Sequence, residues 1–111
     1  MKNFFLKKDK YSKSRGGYSR FLNIYCHHCG KEVLIYQKDG PGELKRIYLD
    51  RIFSPMPLVN LQNLQIKKIQ DLICKKCGRV LAIPYIYQNE RRKAYRLFVG
   101  AVIKRVTKIK M

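Results

Sequence analysis

The chain carries one short pattern twice. "YCHHCGKEVLIY" at 25–36 aligns without a gap on "ICKKCGRVLAIP" at 73–84: a β-type residue, Cys-x-x-Cys-Gly, a basic residue, then an apolar run. Cysteines two residues apart share one turn and can aim both sulfurs at a common point. Two such turns supply the four soft donors that a tetrahedral zinc ion takes. Cys26, Cys29, Cys74 and Cys77 are therefore the candidate ligands of one structural Zn2+. Gly30 and Gly78, directly after the second cysteine of each pair, permit the positive φ such a turn needs and let backbone N–H groups approach the sulfurs. The 44 residues between the pairs exceed the compact spacing of four-cysteine sites. They are long enough to be a substructure of their own.

Other uses of the cysteines fit less well. A thioredoxin-type redox pair opens a helix in a βαβ setting, whereas each pair here precedes an apolar run of strand character. Structural disulfides need an oxidising compartment, and the N-terminal "MKNFFLKK" lacks the apolar core of a secretory leader. The longest apolar run, "LFVGAVI" at 97–103, is too short to cross a bilayer. A cytoplasmic protein with reduced thiols and no membrane partner is expected. Four thiolates around zinc leave no open position for water or substrate. With no Ser, His and Asp set and no phosphate-cradling glycine loop, no enzyme is expected.

His27 and His28 lie inside the first cysteine pair, where the second copy has Lys75 and Lys76. The simplest reading turns all four side chains outward, although imidazole is a good zinc donor and a histidine replacing one cysteine stays open. Outward tips would suit phosphate contact or base stacking, or form a merely solvated turn.

Charge points to the partner. The 111 residues hold 25 Lys plus Arg against 7 Asp plus Glu, a formal charge of +18 with a pI of about 10.1. Basic residues run through the whole chain among eight Tyr and five Phe, the footprint of a polyanion binder rather than of a solubilising tail or a membrane-surface segment. Residues 1–20 carry Lys2, Lys7, Lys8, Lys10, Lys13, Arg15 and Arg20 against Asp9 alone. This segment is read as a flexible basic arm that orders on its partner, or as a solvated tail, with Phe4, Phe5 and Leu6 available to dock on the domain.

Residues 21–111 form the domain, sized for a single core. Short runs of Ile, Val, Leu and Tyr bounded by turn signals predict a mainly β fold of antiparallel hairpins, with a small α+β arrangement also open. "KEVLIYQK" leads into the "DGPG" reversal at 39–42, from which "ELKRIYLDRIF" returns. Leu44, Ile47, Tyr48, Arg51 and Ile52 also match a helical face, so 44–52 is strand or helix. "RVLAIPYIY" and "AYRLFVGAVIKRV" flank "QNERRK" as a two-stranded ribbon with a charged loop, and Pro84 belongs at an edge or bulge. Arg91, Arg92, Lys93 and Arg96 at the ribbon tip, with Lys104, Arg105, Lys108 and Lys110 in a basic C-terminal tail, are candidate phosphate contacts. Tyr85, Tyr87 and Tyr95 are either core residues or platforms for unpaired bases.

Cys-x-x-Cys-Gly-basic, repeated and each time leading into a strand, resembles the zinc ribbon. Small, very basic, intracellular members of that class include ribosomal proteins and ribosome-associated factors. The resemblance covers residues 25–36 and 73–84. It implies an antiparallel sheet of three or more strands, the four cysteines as zinc ligands, and a zinc-ribbon domain over 21–111. The expected function is a structural-zinc RNA-binding protein contacting rRNA in the ribosome, beside neighbouring ribosomal proteins. Zinc ribbons also serve in DNA-binding, transcription-associated and protein-docking roles, so both stay as alternatives. RNA is preferred to DNA because no helix shows a pattern for reading the major groove.

Overall fold

The computed structural model describes residues 4–16 and 18–107. Eight strands run in chain order: β1 (Ser19–Cys26), β2 (Glu32–Asp39), β3 (Arg46–Tyr48), β4 (Ile52–Ser54), β5 (Leu72–Ile73), β6 (Val80–Tyr87), β7 (Arg92–Leu97) and β8 (Val102–Val106). One short helix, α1 (Lys10–Ser14), precedes them. The strands form two four-stranded sheets, in the orders β4-β2-β1-β8 and β3-β7-β6-β5. Every pairing is antiparallel, so the mainly β reading holds. Alternation along β1 buries Leu22, Ile24 and Cys26 against Leu34 and Tyr36 of β2, as the two-residue period of a strand requires. These join Ile47, Leu72, Leu81, Ala82 and Tyr95 of the other sheet in one apolar cluster.

Two segments change sheets where the sequence suggested simple hairpins. After the "DGPG" turn the chain does not return along β2. Residues 46–48 pair instead with β7 of the second sheet, Ile47 facing Tyr95. A single 3-10 turn at Leu49–Arg51 then carries the chain back to the first sheet as β4, where Ile52 faces Tyr36. Residues 44–52 are thus strand, turn and strand start. The helical spacing of their apolar residues arises because the tight turn aims Arg51 and Ile52 inward alongside Ile47 and Tyr48. "AYRLFVGAVIKRV" divides in the same way. Its first part is β7; a turn with Gly100 at φ 72° follows; β8 then pairs with β1 from Leu22–Val106 to Cys26–Val102. The β6–β7 ribbon forms as predicted, and at Pro84 the strand pairs with β7 alone, β5 having ended opposite Ala82. Between β4 and β5 the inserted segment makes 3-10 turns at Met56–Leu58, Leu61–Asn63 and Ile66–Lys68, and lays Leu58, Leu61 and Ile66 on the core.

The N-terminal segment is a correction. It was expected as a flexible arm, yet residues 4–16 lie folded on the domain, and Ser19 and Arg20 belong to β1. Phe4 packs on Phe21 and Phe53 with ring centroids 5.9 and 5.7 Å away. Gln37 exchanges two hydrogen bonds with the backbone of Lys7, at 2.7 and 2.9 Å. Asp9 caps α1 by accepting from the N–H groups of Tyr11 and Ser12. One aromatic ring and one carboxylate anchor a segment whose overall charge argued against order.

Asp9 also reaches Arg51, which is 1% exposed and donates to Asp9 Oδ1 at 2.7 Å and to Asp39 Oδ2 at 2.9 Å. Ser19 and Gln37 complete the Asp39 carboxylate at 2.6 and 2.8 Å. Across the molecule Arg92 pairs with Asp50 at 2.7 Å and lies over the rings of Tyr11 and Tyr48, 4.0 and 3.7 Å from their centroids. Arg15 donates to Glu90 at 2.6 Å and to the Tyr48 hydroxyl at 2.9 Å. These pairs tie the N-terminal segment to both sheets.

Candidate metal centre

The two copies of the repeat fold into the same turn. Gly30 N–H donates to the Cys26 carbonyl at 2.8 Å and Cys26 N–H to the Lys31 carbonyl at 2.8 Å; Gly78 N–H donates to Cys74 at 2.8 Å and Cys74 N–H to Arg79 at 2.9 Å. Gly30 and Gly78 share a φ of 77°. The first turn joins β1 to β2 in one sheet, and the second joins β5 to β6 in the other. A site built from both therefore links the two sheets. A further bond, from His27 N–H to the Ala101 carbonyl at 3.0 Å, braces the first turn against the residues entering β8.

The four sulfurs meet between these turns, all within 4.8 Å of one another, with Cys26–Cys77 at 3.8 Å and Cys29–Cys74 at 3.4 Å. A tetrahedral thiolate site with metal–sulfur bonds of about 2.3 Å has sulfur–sulfur edges of about 3.8 Å. The donor set and its spacing fit, so the four cysteines could hold one metal ion. All four are free thiols. Backbone N–H groups of Cys77 and then Lys76 aimed at the sulfur bring the Cys74 thiol down to about 6, despite the burial that opposes them. At Cys29 the Lys31 backbone bond acts downward too, but desolvation and the three neighbouring sulfurs outweigh it and push this thiol up to about 11. Four sulfurs this close cannot all ionise without a cation between them.

A Cβ at Gly78 would meet nothing within 4 Å, so only the left-handed backbone opposes a side chain there. Gly78→Ala is expected to lower the stability of the metal-loaded protein by about 1–2 kcal/mol, read from urea midpoints, without releasing the ion.

The other predicted residues divide into groups. His27 and His28 are exposed, as are Lys75 and Lys76, and the metal-competent cluster among the described residues contains cysteines only. Lys8, Lys10, Lys13, Arg91, Arg96, Lys104 and Arg105 are also exposed. Arg20 donates to the Gly40 carbonyl, and the Lys7 ammonium to that of Asp50. Lys93 is spent on the carbonyls of Gln62 and Leu64. Arg92, placed at an exposed ribbon tip by its sequence, is 5% exposed and ion-paired, so it faces inward; Arg15 is likewise committed to Glu90. Lys108 and Lys110 lie outside the described residues. Tyr95 is core, its hydroxyl donating to the Gln70 carbonyl, whereas Tyr85 and Tyr87 are half-buried. Arg46, overlooked in the ambiguous 44–52 segment, joins them: its Nε donates to the Tyr85 hydroxyl at 3.0 Å and its guanidinium lies 3.9 Å from the Tyr87 ring centroid.

No family model, curated protein or solved structure matches the chain. Among the described residues no helix is long and apolar enough to cross a membrane.

Proposed function

We propose that the chain is a small, non-catalytic RNA-binding protein built around one structural zinc ion, a zinc ribbon in its metal-binding halves, acting in the cytoplasm on rRNA within the ribosome. The observation that carries the reading is how the acids are used. Asp9, Asp39, Asp50 and Glu90, four of the seven acids, are held in internal pairs with Arg15, Arg51 and Arg92, three of the 25 basic residues. The remaining acids are Glu32, Glu43 and Asp71, whereas Lys8, Lys10, Lys13, Lys31, Lys67, Lys68, Lys75, Lys76, Arg79, Arg91, Arg96, Lys104 and Arg105 are all exposed, so the described surface is dominated by positive charge. Such a surface binds phosphates at many points, with an affinity that falls steeply as salt rises. Zinc suits the centre because four thiolates in a tetrahedron are its usual structural site. When bound, the ion would neutralise part of the thiolate charge and clamp the turns carrying Lys75, Lys76, His27 and His28.

A second reading has its own support. Leu58, Leu61, Leu64, Pro57 and Ile73 line an apolar groove of about 680 Å³ beside the second knuckle, a surface that a protein-docking adaptor would use. In the ribosomal reading that groove would face a neighbouring ribosomal protein.

Sedimentation separates the two. A tagged chain expressed in its own host should comigrate with ribosomal subunits at low salt and shift to the top of the gradient at high salt, with rRNA recovered from the fractions. A chain found only in soluble fractions at low salt, bound to protein and free of RNA, would establish the adaptor reading instead.

A further inference from the structure

A groove on the second sheet brings the ribbon residue Arg96 and the tail residue Lys104 together with Arg46, which the sequence did not single out. Arg46 of β3 and Arg96 of β7 stand directly opposite each other in the β3–β7 register. Like charges at directly opposed positions are destabilising unless something of the opposite sign lies between or over them. Neither arginine makes an ion pair among the described residues, although Glu43 also lines the groove; the Arg46 guanidinium hydrogen-bonds to Tyr85 and Tyr48 and lies over Tyr87. Lys104 of β8 adds a third cation to the lining, and the open groove has a volume of about 630 Å³, within the range of sites that hold a small ligand. The wall between them is aromatic. Tyr85 and Tyr87 are held in place by Arg46, and Phe98, 48% exposed in the turn between the sheets, leaves a ring open to the groove.

We propose that this groove is a binding site for a single-stranded RNA segment, with phosphate on Arg46, Arg96 and Lys104 and an unpaired base stacked on Phe98 or Tyr85. Fixed cations beside sequence-tolerant aromatic faces are what single strands require, whereas a duplex keeps its bases stacked inside and offers only phosphate. Arg46 has a double part: it orients the tyrosine platform and supplies charge above it. The inference rests on reading the chain as RNA-binding and adds the preference for an unpaired segment at this place.

The test is fluorescence anisotropy of the metal-loaded protein with a labelled ten-nucleotide single-stranded RNA, its duplex, and inorganic polyphosphate. Phe98→Ala is expected to weaken single-strand binding about tenfold or more and to leave polyphosphate binding unchanged. Arg96→Gln is expected to weaken both several-fold and to reduce the salt slope by about 1. Lys67→Gln, an equal loss of charge at an exposed position outside the groove, should cost less than Arg96→Gln on the single strand. Circular dichroism confirms that each variant is folded. RNA binding by the parent chain that neither groove variant alters would overturn this site while leaving the RNA-binding reading intact; absence of RNA binding by the parent chain would overturn both.

Discussion

Cys74→Ser is expected to release the metal ion and unfold the domain. Cys74 and Cys77 come from the second sheet and Cys26 and Cys29 from the first, so one ion bound by all four would clamp together two sheets whose strands make no ladder with each other. Structural zinc sites in small peptides bind with roughly 10–16 kcal/mol, and that binding is coupled to folding. Whole domains of this kind are stable by only about 5–15 kcal/mol. Removing one of four thiolates should therefore exceed the margin the apolar cluster provides alone. Metal analysis should fall from about one ion per chain to well below half, and the thermal transition should disappear or drop far below that of the parent. A chelator should have the same effect on the parent chain, reversed by adding zinc. A well-folded, metal-free Cys74→Ser protein would show that the cysteines are bystanders to a self-sufficient core.

Arg51→Met should be the most damaging change away from the metal. The arginine is among the largest fully buried side chains of the described residues and bridges Asp39 to Asp9. Its removal leaves the Asp39 carboxylate buried among Ser19 and Gln37 with no cation. Breaking a buried pair on one side in this way costs about 3–5 kcal/mol. Urea unfolding at neutral pH in excess zinc gives the number. Adding Asp39→Asn to the same chain should recover part of the loss, because the amide can keep its bonds to Ser19 and Gln37 without an uncompensated charge. A cost below about 1 kcal/mol for Arg51→Met would mean that the pair is solvated and contributes as a surface pair does.

The same carboxylates set the sign of the acid response. The Arg51 hydrogen bond lowers Asp9 to about 2, and at Asp39 burial would raise the value but is outweighed by Ser19, Gln37 and Arg51, which hold it low. A folded value below the unfolded one near 3.9 means that this stabilisation is complete above about pH 4 and is lost as the pH falls toward 2. Protonating the four cysteines would displace a bound metal as well. Acid therefore weakens both ties.

The cysteine cluster was readable because each of its two knuckles is local and the sequence repeats it. Two-residue spacing brings each pair of sulfurs to one turn, and a glycine after each pair supplies the positive φ, so the repeat alone pointed to the knuckles and to the four cysteines that cluster in the fold. The β6–β7 ribbon was readable for a similar reason: two apolar runs flank one polar loop. The destination of β3, β4 and β8 was not. A run of three to five residues alternates in the same way whichever sheet it joins, and the choice falls to long-range partners such as Tyr95 for Ile47 and Ile24 for Lys104. Charge misled at the ribbon tip as it did at the N-terminal segment. Arg91 and Arg92 are adjacent in a basic run, yet only Arg92 points to the Tyr11 and Tyr48 rings and to Asp50. Seven acids among so many bases were the available signal. Charges so scarce are more informative about internal pairing than about the surface.

Native mass spectrometry of the purified chain, with its thiols kept reduced, tests the metal centre most directly. One species heavier than the bare chain by a single zinc atom, less the protons given up by the cysteines, is the predicted result, and the increment should vanish in the Cys74→Ser variant. A folded chain at the bare mass, or one whose zinc survives the loss of Cys74, would contradict the account.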